Sequence, residues 1–262
     1  MLSRHFGKIY RSIVKRIDEE GCLFFLVIDP PNQKPADAAS VAAIAEQEGA
    51  AAVAVGGSVG AQGNILNDTI VEIKRESKLP VILFPGNIAT ISEKADAIYF
   101  MSMLNSLDPY YISGAQIAAS MPVKRMKLEV IPTAYIIVEP GRAVGWVGRA
   151  HLIPRDKPYL AAASALAGEF MGMHIAILES GGGAAMPAPP NMVAEVAKTI
   201  SIPLVVAGGV CKEKYAYETA RAGASIIHVG SAIEKTNGSR KRAREKIRKM
   251  IAAMRKGVRA RK

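Results

Sequence analysis

The sequence has little of what marks an exported or membrane-spanning protein. Its two cysteines, Cys22 and Cys211, are too few and too far apart for a disulfide framework. We therefore expect reduced thiols in a cytoplasmic protein. No apolar stretch reaches the roughly 20 residues that a membrane-spanning helix needs, since Asp29 and Pro30 end the run that begins at Cys22. The basic N-terminus also lacks the apolar core of a signal peptide.

Several signatures of common enzyme chemistry are missing as well. The sequence contains neither GxxxxGK[ST] nor a strand-bound GxGxxG, the loops that hold nucleotide phosphates. The four histidines do not cluster, and no spacing of cysteine and histidine suggests zinc. His174 and His228 lie inside apolar runs, which favours core or barrel-interior positions. A nucleotide-binding or zinc enzyme is therefore unsupported.

Eight short apolar runs recur along the chain, each ending in a small residue, a proline or a polar group. Such runs, rich in valine, isoleucine and leucine without polar alternation, favour strands buried on both faces, as parallel strands are. The runs are Leu23–Asp29, Ala51–Gly56, Pro80–Phe84, Ala97–Met101, Ile131–Val138, Met173–Leu178, Ile202–Ala207 and Ser225–Val229.

Helix-like segments lie between these runs. Ala36–Gln47 precedes Gly49, a typical helix end, and Pro190–Thr199 and Lys212–Ala222 are also helical in pattern. Alternating strands and helices predict a parallel sheet, and eight units favour a closed (β/α)8 TIM barrel. Only Pro85–Asp96 separates the third and fourth runs, so we expect a reduced or missing third helix.

Positive charge is concentrated at the C-terminal end. The chain has a net charge of +11, yet residues 235–262 contain 13 of its 34 basic residues and one acid, Glu245. No linker sets this region apart, so we predict one barrel domain over residues 1–262, ending in a basic helix or tail at about 236–262. Apolar residues recur there at helical spacing and favour an eighth barrel helix: Ile247, Met250, Ile251, Met254 and Val258.

The last residues of this tail have an open role. Arg255–Lys262 could bind anionic lipid headgroups, which would make the protein peripheral to the membrane. Nucleic acid is a weaker alternative, because the tail has no aromatic residues for stacking.

The active site of a TIM barrel lies at the carboxyl ends of its strands. Gly208-Gly209 and Gly230-Ser231 follow the seventh and eighth runs, where such barrels commonly hold a phosphate on free backbone N–H groups. A tight turn would be enough to explain either glycine-containing pair by itself. Because the two pairs occupy matching positions after neighbouring strands, phosphate binding is favoured. Glu179 directly follows the sixth run and precedes Ser180 and three glycines. It is either a solvated strand end or a reactive acid beside a bound anion.

Asp29 ends the first run directly before two prolines. Mg²⁺ typically takes one or two protein carboxylates and completes its shell with water and substrate phosphate. Asp29 is therefore a candidate ligand, with helix capping or solvation as the alternative. Ser58 could add a hydroxyl ligand, although from the residues alone a helix N-cap is slightly favoured.

Together the strand ends resemble the geranylgeranylglyceryl phosphate synthase family, whose bacterial relatives are the heptaprenylglyceryl phosphate synthases. The resemblance covers about residues 20 to 235. Its six motifs are each weak, but specific in this order: IDP at Ile28–Pro30, VGGS at Val55–Ser58, FPGN at Phe84–Asn87, ILESGGGA at Ile177–Ala184, AGGV at Ala207–Val210 and HVGSAIE at His228–Glu234.

The resemblance implies a Mg²⁺-dependent prenyltransferase that moves a geranylgeranyl group from its diphosphate to the C3 hydroxyl of sn-glycerol 1-phosphate. This forms the first ether bond of archaeal membrane lipids. It implies Mg²⁺ binding by Asp29 and Ser58, and Glu179 becomes our candidate to orient or deprotonate the hydroxyl. Glycerol phosphate binding is implied for Ile177, Leu178, Glu179, Ser180, Gly181, Gly182, Gly183, Gly208, Gly209, Gly230 and Ser231. We also expect a homo-oligomer and no nucleic acid.

Two residues depart from the family pattern Tyr-x-Glu-x-Gly-Ser-Gly. Ile177 stands in the tyrosine position, which removes a hydrogen bond worth roughly 0.5–1.5 kcal/mol. Gly182 stands in the serine position but keeps its backbone N–H. An apolar groove for the prenyl chain could be lined by five residues, although residues at these spacings are more often plain core: Tyr99, Phe100, Tyr110, Tyr111 and Met121.

Two other functions stay open. A different phosphate-binding barrel of sugar-phosphate metabolism would need a second acid/base pair or a Schiff-base lysine at a strand end, and we find neither. A non-enzymatic barrel that binds nucleic acid through its tail would lose its partner when Arg255–Lys262 is deleted.

Overall fold

The computed structural model describes residues 6–57, 59–236 and 238–261. Within them, eight parallel strands close into a barrel in chain order, and the last strand pairs with the first. Each predicted apolar run supplies one strand, so the predicted TIM barrel is confirmed. The strands are β1 (Leu23–Ile28), β2 (Ala52–Val55), β3 (Val81–Leu83), β4 (Ala97–Met103), β5 (Glu129–Ile137), β6 (Ile175–Glu179), β7 (Leu204–Ala207) and β8 (Ile226–Val229).

Helices precede, connect and follow the strands. They are α1 (Lys8–Glu20), α2 (Pro35–Glu48), α3 (Gly63–Glu76), α4 (Ala115–Met126), α5 (Arg142–Val147), α6 (Pro158–Phe170), α7 (Pro190–Thr199), α8 (Glu213–Arg221), α9 (Ser231–Glu234) and α10 (Arg240–Arg259). Residues 84–96, all of them described, connect β3 to β4 without a helix. The missing barrel helix after the third strand is therefore confirmed.

The core has two layers because successive side chains of a strand point to opposite faces of the sheet. On β6, Ala176 and Leu178 pack in the outer layer beneath the helices, whereas Ile175 and Ile177 fill the barrel interior. The same alternation directs Glu179, the last residue of β6, inward. Burial on both faces explains why the strands read as continuous apolar runs.

Helix α1 covers the amino end of the barrel. Its Tyr10 and Ile13 are buried in the inner layer of the core. The carboxylate of Glu129, at the start of β5, accepts hydrogen bonds from the N–H groups of Ile9 and Tyr10 at 2.8 and 2.7 Å. This acid caps the helix from 119 residues away in sequence. The opposite, carboxyl end of the barrel contains a cavity.

Helix α10 is the predicted eighth barrel helix, packed against α8 and α2. Its apolar stripe faces the core: Ile247, Met250, Ile251 and Met254 are buried, and Val258 is partly buried against them. No helix within the described ranges combines the length and the apolarity needed to cross a bilayer.

The end of the basic tail is built into the fold. Arg261 donates to the carbonyl oxygens of Ala220, Gly21 and Ala224 at 2.7, 3.0 and 2.7 Å. Its guanidinium therefore ties the chain end to the amino end of the barrel. Lys262 lies outside the described residues.

Candidate active site

A cavity of about 550 Å³ opens at the carboxyl end of the barrel. This volume is typical of sites for small molecules. Its wall contains predicted site residues from four different strand ends, which the closed barrel brings together: Asp29, Glu179, Gly182, Gly183, Gly208, Gly209, Gly230 and Ser231.

Glu179 is the buried acid of this cavity, with 5% of its surface exposed. Its Oε1 accepts a hydrogen bond from the Gly181 N–H at 2.6 Å, and its Oε2 accepts one from the Tyr135 hydroxyl at 3.4 Å. Burial raises the pKa of the carboxyl to about 7, although these two hydrogen bonds oppose the shift. Near neutral pH the group is thus poised to take up or release a proton.

Glycine at position 208 is required by the approach of Glu179. Gly208 has a φ of 73°, and a Cβ there would overlap with Glu179 Oε1 and lie 2.6 Å from the backbone nitrogen of Gly181. A side chain would therefore be strained by its backbone angle and would displace the acid. Gly208, the first of the Gly-Gly pair after β7, thus makes room for the acid in addition to forming part of a turn.

The loop after β6 leaves open space beside the acid. A Cβ on Gly182 or Gly183 would meet no heavy atom within 4 Å. Gly209, Gly230 and Ser231 line the cavity from the neighbouring strand ends. Gly209 is packed against Met186 and Gly230 against Val27, so the room for a phosphate lies beside Gly182 and Gly183. Backbone N–H groups around such a space suit a phosphate.

Four other predicted substrate-binding residues do not line the cavity. Ile177, Leu178 and Ser180 are fully buried, and they, like Gly181, are not among the described residues that line the cavity. The Ser180 N–H donates to the carbonyl of Ala207 at 3.1 Å, which joins the ends of β6 and β7. These residues position Glu179 and the glycine loop.

Asp29 and Glu234 form a second acidic group where β1 and β8 end. Asp29 Oδ1 is buried and has no hydrogen-bond partner among the described residues. Burial, and then the charge of Glu234, raises the pKa of Asp29 to about 6. Glu234 Oε2 accepts from Asn32 Nδ2 at 3.3 Å. A Cβ on Gly57 would lie 2.7 Å from Asp29 Cγ, so this glycine makes room for the carboxylate.

An unsatisfied carboxylate oxygen on a residue that lines this cavity fits a divalent cation. No group of three or more potential metal ligands occurs in the described part of the chain. A cation on Asp29 and Glu234 would therefore complete its shell with water or ligand oxygens. The predicted ligand Ser58 lies outside the described residues. Sequence reasoning missed Glu234, although it is the last residue of the HVGSAIE motif.

The cavity continues as an apolar groove toward β4 and α4. Of the five residues considered for this groove, Tyr99, Phe100, Tyr110 and Tyr111 line it, although their spacing favours plain core positions. Met121 is 59% exposed and is not among the lining residues. Further lining comes from the segment after β3 that replaces the missing helix: Phe84, Pro85, Ile88 and Ile91. The loss of that helix thus leaves space for the groove.

Comparison with known proteins decides the family. The PcrB family profile matches residues 15–254. The chain belongs to the PcrB family. The predicted resemblance to the geranylgeranylglyceryl phosphate synthase family is also confirmed, because similar proteins carry that name. The geranylgeranylglyceryl phosphate synthase of Thermococcus kodakarensis is 48% identical over 244 residues, which is 93% of this chain and 96% of that protein. The protein of the same name from Pyrococcus horikoshii is 46% identical over 252 residues, 96% of this chain and 97% of that one.

A solved structure extends the comparison to three dimensions. The (S)-3-O-geranylgeranylglyceryl phosphate synthase of Thermoplasma acidophilum, in complex with its substrate sn-glycerol-1-phosphate, matches with a TM-score of 0.90 and 35% identity. The match covers 95% of this PcrB chain and 99% of that chain. The two proteins therefore share the barrel fold over nearly their whole length.

Proposed function

We propose that this PcrB-family chain transfers a geranylgeranyl group from geranylgeranyl diphosphate to the C3 hydroxyl of sn-glycerol 1-phosphate, releasing diphosphate. One observation carries the proposal: a single cavity joins a glycine cradle, a buried acid, an unsatisfied carboxylate and an apolar groove. These four parts match a phosphate, a hydroxyl, a cation-bound diphosphate and a prenyl chain. The relatives at 46–48% identity carry the corresponding name.

The glycerol phosphate would bind at the ends of β6, β7 and β8. Its phosphate would accept hydrogen bonds from backbone N–H groups of Gly182, Gly183, Gly209 and Ser231, which all line this wall. The C3 hydroxyl would then reach Glu179, whose Oε1 and Oε2 face the Gly181 N–H and the Tyr135 hydroxyl. Binding of the phosphate would hold the hydroxyl close to the acid, which lowers the entropic barrier.

Asp29 would hold Mg²⁺, with Glu234 beside it and Ser58 as a further candidate. When bound, Mg²⁺ neutralises the negative charge that develops on the leaving diphosphate. In the reaction the C1–O bond of the prenyl diphosphate breaks, and its electron pair leaves with the diphosphate. The C3 oxygen of the glycerol supplies the pair for the new C1–O bond, and its proton passes to Glu179.

Turnover with defined substrates tests the proposal. The protein is incubated with sn-glycerol 1-phosphate, Mg²⁺ and prenyl diphosphates of graded length, and products are measured by mass spectrometry. We expect prenylglyceryl phosphate with the C20 donor, and lower turnover with the enantiomeric acceptor, sn-glycerol 3-phosphate. A sugar-phosphate lyase is less well supported, because no lysine lines the described part of the cavity.

A peripheral membrane contact is a further part of the proposal. We assign it to the whole outward face of α10, and not to the chain end alone, because Arg261 bonds to backbone carbonyls. Basic side chains near an anionic surface contribute about 1 kcal/mol each. Nine are exposed along α10: Arg240, Lys241, Arg242, Arg244, Arg248, Lys249, Arg255, Lys256 and Arg259.

Vesicle sedimentation tests the contact. Replacing Arg240, Lys241 and Arg242 by glutamine should weaken binding to anionic vesicles, with no binding to neutral ones. The matched control replaces Lys8, Arg11 and Lys15, three exposed basic residues of α1, and should bind as the wild type does. Equal loss in both variants, or preference for duplex DNA, would contradict the assignment.

Self-association is also proposed, because large apolar side chains remain exposed. Trp146 is 84% and Phe170 81% exposed, and such surface commonly marks contacts between subunits. Sedimentation velocity should show an oligomer that Trp146→Ala weakens. A monomer at micromolar concentration would contradict the proposal.

A further inference from the structure

Phe84, the first residue of the FPGN motif, lies at the centre of a ring cluster on the cavity floor. Its ring centroid lies 5.7 Å from that of Tyr99, 5.7 Å from that of Tyr135 and 5.4 Å from that of His228. These three side chains are buried, whereas Phe84 is partly exposed and lines the cavity. Phe84 is therefore the ring of this cluster that is most open to a ligand.

The contacts of Phe84 place it between the two acids of the site. On one side, a Cβ on Gly56 would lie 2.6 Å from the Phe84 carbonyl carbon, so the end of β3 is pressed against the Gly56-Gly57 loop that borders Asp29. On the other side, the ring of Phe84 contacts the ring of Tyr135, whose hydroxyl donates to Glu179 at 3.4 Å. Phe84 thus lies between the proposed diphosphate end and the proposed hydroxyl end.

The carbon that reacts must lie between these same two ends. When the C1–O bond breaks and its electron pair leaves with the diphosphate, the allylic carbons C1 and C3 share a positive charge until the glycerol oxygen bonds to C1. The face of an aromatic ring attracts such a charge, and more strongly where water is excluded.

The ring cluster brings no positive charge of its own to this place. His228 is buried with its Nε2 3.2 Å from the Tyr99 hydroxyl. Burial lowers the pKa of His228 to about 3, so the imidazole is neutral at working pH. The floor beneath the proposed reaction centre is therefore aromatic and uncharged.

We propose that the ring face of Phe84 stabilises the allylic positive charge and that Phe84 is a catalytic residue of the prenyl transfer. This inference rests on the proposed function. It differs from a simple lining role, in which Phe84 would only contact the apolar chain of the donor. The two roles predict different responses to fluorine on the ring: the rate should fall if the ring face stabilises charge and stay unchanged if the ring only lines the groove. Fluorine withdraws electrons from the ring face but keeps the ring apolar and close to its original shape.

The test replaces Phe84 with 4-fluoro-, 3,5-difluoro- and 3,4,5-trifluorophenylalanine. Single-turnover rates with geranylgeranyl diphosphate should fall stepwise, by about 10-fold for the trifluoro ring, equivalent to 1.4 kcal/mol, with little change in donor affinity. The same replacements at Phe24, which is fully buried in the outer layer of the core, should leave the rate unchanged.

A binding measurement gives a second readout that does not depend on turnover. A donor analogue with a protonated amine in place of C3 should lose affinity along the Phe84 series, whereas its neutral carbon counterpart should not. A flat rate and flat analogue affinity, with Phe84→Leu lowering only donor affinity, would overturn the inference and leave the proposed function standing. Absence of product from the wild-type chain would overturn both.

Discussion

The hydroxyl of Tyr135 on β5 donates to Glu179 Oε2 on β6 at 3.4 Å, and Tyr135 pairs in register with Ile177. The family pattern inferred from the resemblance has a tyrosine where this chain has Ile177. Ile177 is fully buried in the barrel interior. A tyrosine hydroxyl is therefore present beside the acid after all, supplied by the neighbouring strand.

Removing that hydroxyl should change the pH dependence of activity. The Tyr135 hydrogen bond holds the pKa of Glu179 below the value that burial alone would give. Tyr135→Phe should therefore raise this pKa and move the acid limb of kcat/KM to higher pH. The lost bond, worth roughly 0.5–1.5 kcal/mol, should lower the rate about 2- to 10-fold at pH 7. Tyr159→Phe, on the exposed surface of α6, is the control, and identical profiles for both variants would refute the role of Tyr135.

The buried acid should also reduce stability at high pH. Burial raises the pKa of Glu179 from 4.5 to about 7, so the folded chain holds this proton more tightly than the unfolded chain does. Its contribution to the free energy of unfolding is present below about pH 4.5 and is lost as the pH rises to about 7. Glu179→Gln should thus be more stable than the wild type at pH 8, by about 1–3 kcal/mol, with no gain at pH 4. Urea unfolding at both pH values checks this, and lower stability of the variant at pH 8 would contradict it.

Two glycine substitutions should separate binding from folding. The Cβ added by Gly182→Ala would lie in open space, so stability should change by less than about 0.5 kcal/mol. Affinity for sn-glycerol 1-phosphate should fall, because the same space is proposed for the phosphate. Gly208→Ala places a Cβ on Glu179 Oε1 at a left-handed backbone angle and should destabilise the fold by about 1–3 kcal/mol. Calorimetric titration and thermal melting distinguish the two. Unchanged affinity in Gly182→Ala would argue against the phosphate cradle.

Cation binding should depend on Asp29. Asp29→Asn removes the charge of the carboxylate whose Oδ1 has no partner among the described residues. We expect Mg²⁺ affinity, measured by calorimetry in the presence of a non-reactive prenyl diphosphate analogue, to fall at least 10-fold. Asp37→Asn, on the exposed first turn of α2, should bind as the wild type does. Equal affinities in both variants would remove Asp29 from the proposed site.

Local pattern was sufficient to predict the barrel. The strands are apolar runs because both of their faces are buried, and α7 (Pro190–Thr199) coincides with its predicted range since its proline marks the first turn. The position of Glu179 followed from the strand count alone. These features depend on residues that are close together in the sequence, so the sequence alone is enough to predict them.

Contacts between side chains on neighbouring strands could not be predicted in this way. Glu234 lies beside Asp29 because β8 pairs with β1, and Tyr135 reaches Glu179 because β5 pairs with β6. Neither acid nor tyrosine carries a local signal of its partner. Met121 shows the converse error, since its spacing suited a groove but its side chain faces outward from α4.

Release of diphosphate by the wild type and by Glu179→Gln at pH 8 tests the central claim most directly. We predict that the wild type releases diphosphate from geranylgeranyl diphosphate only when sn-glycerol 1-phosphate is present, with one ether product per diphosphate. Glu179→Gln should turn over about 10²–10⁴-fold more slowly, with similar affinity for sn-glycerol 1-phosphate. Diphosphate release without the acceptor, or equal turnover by the variant, would contradict a prenyl transfer in which Glu179 takes the proton of the hydroxyl.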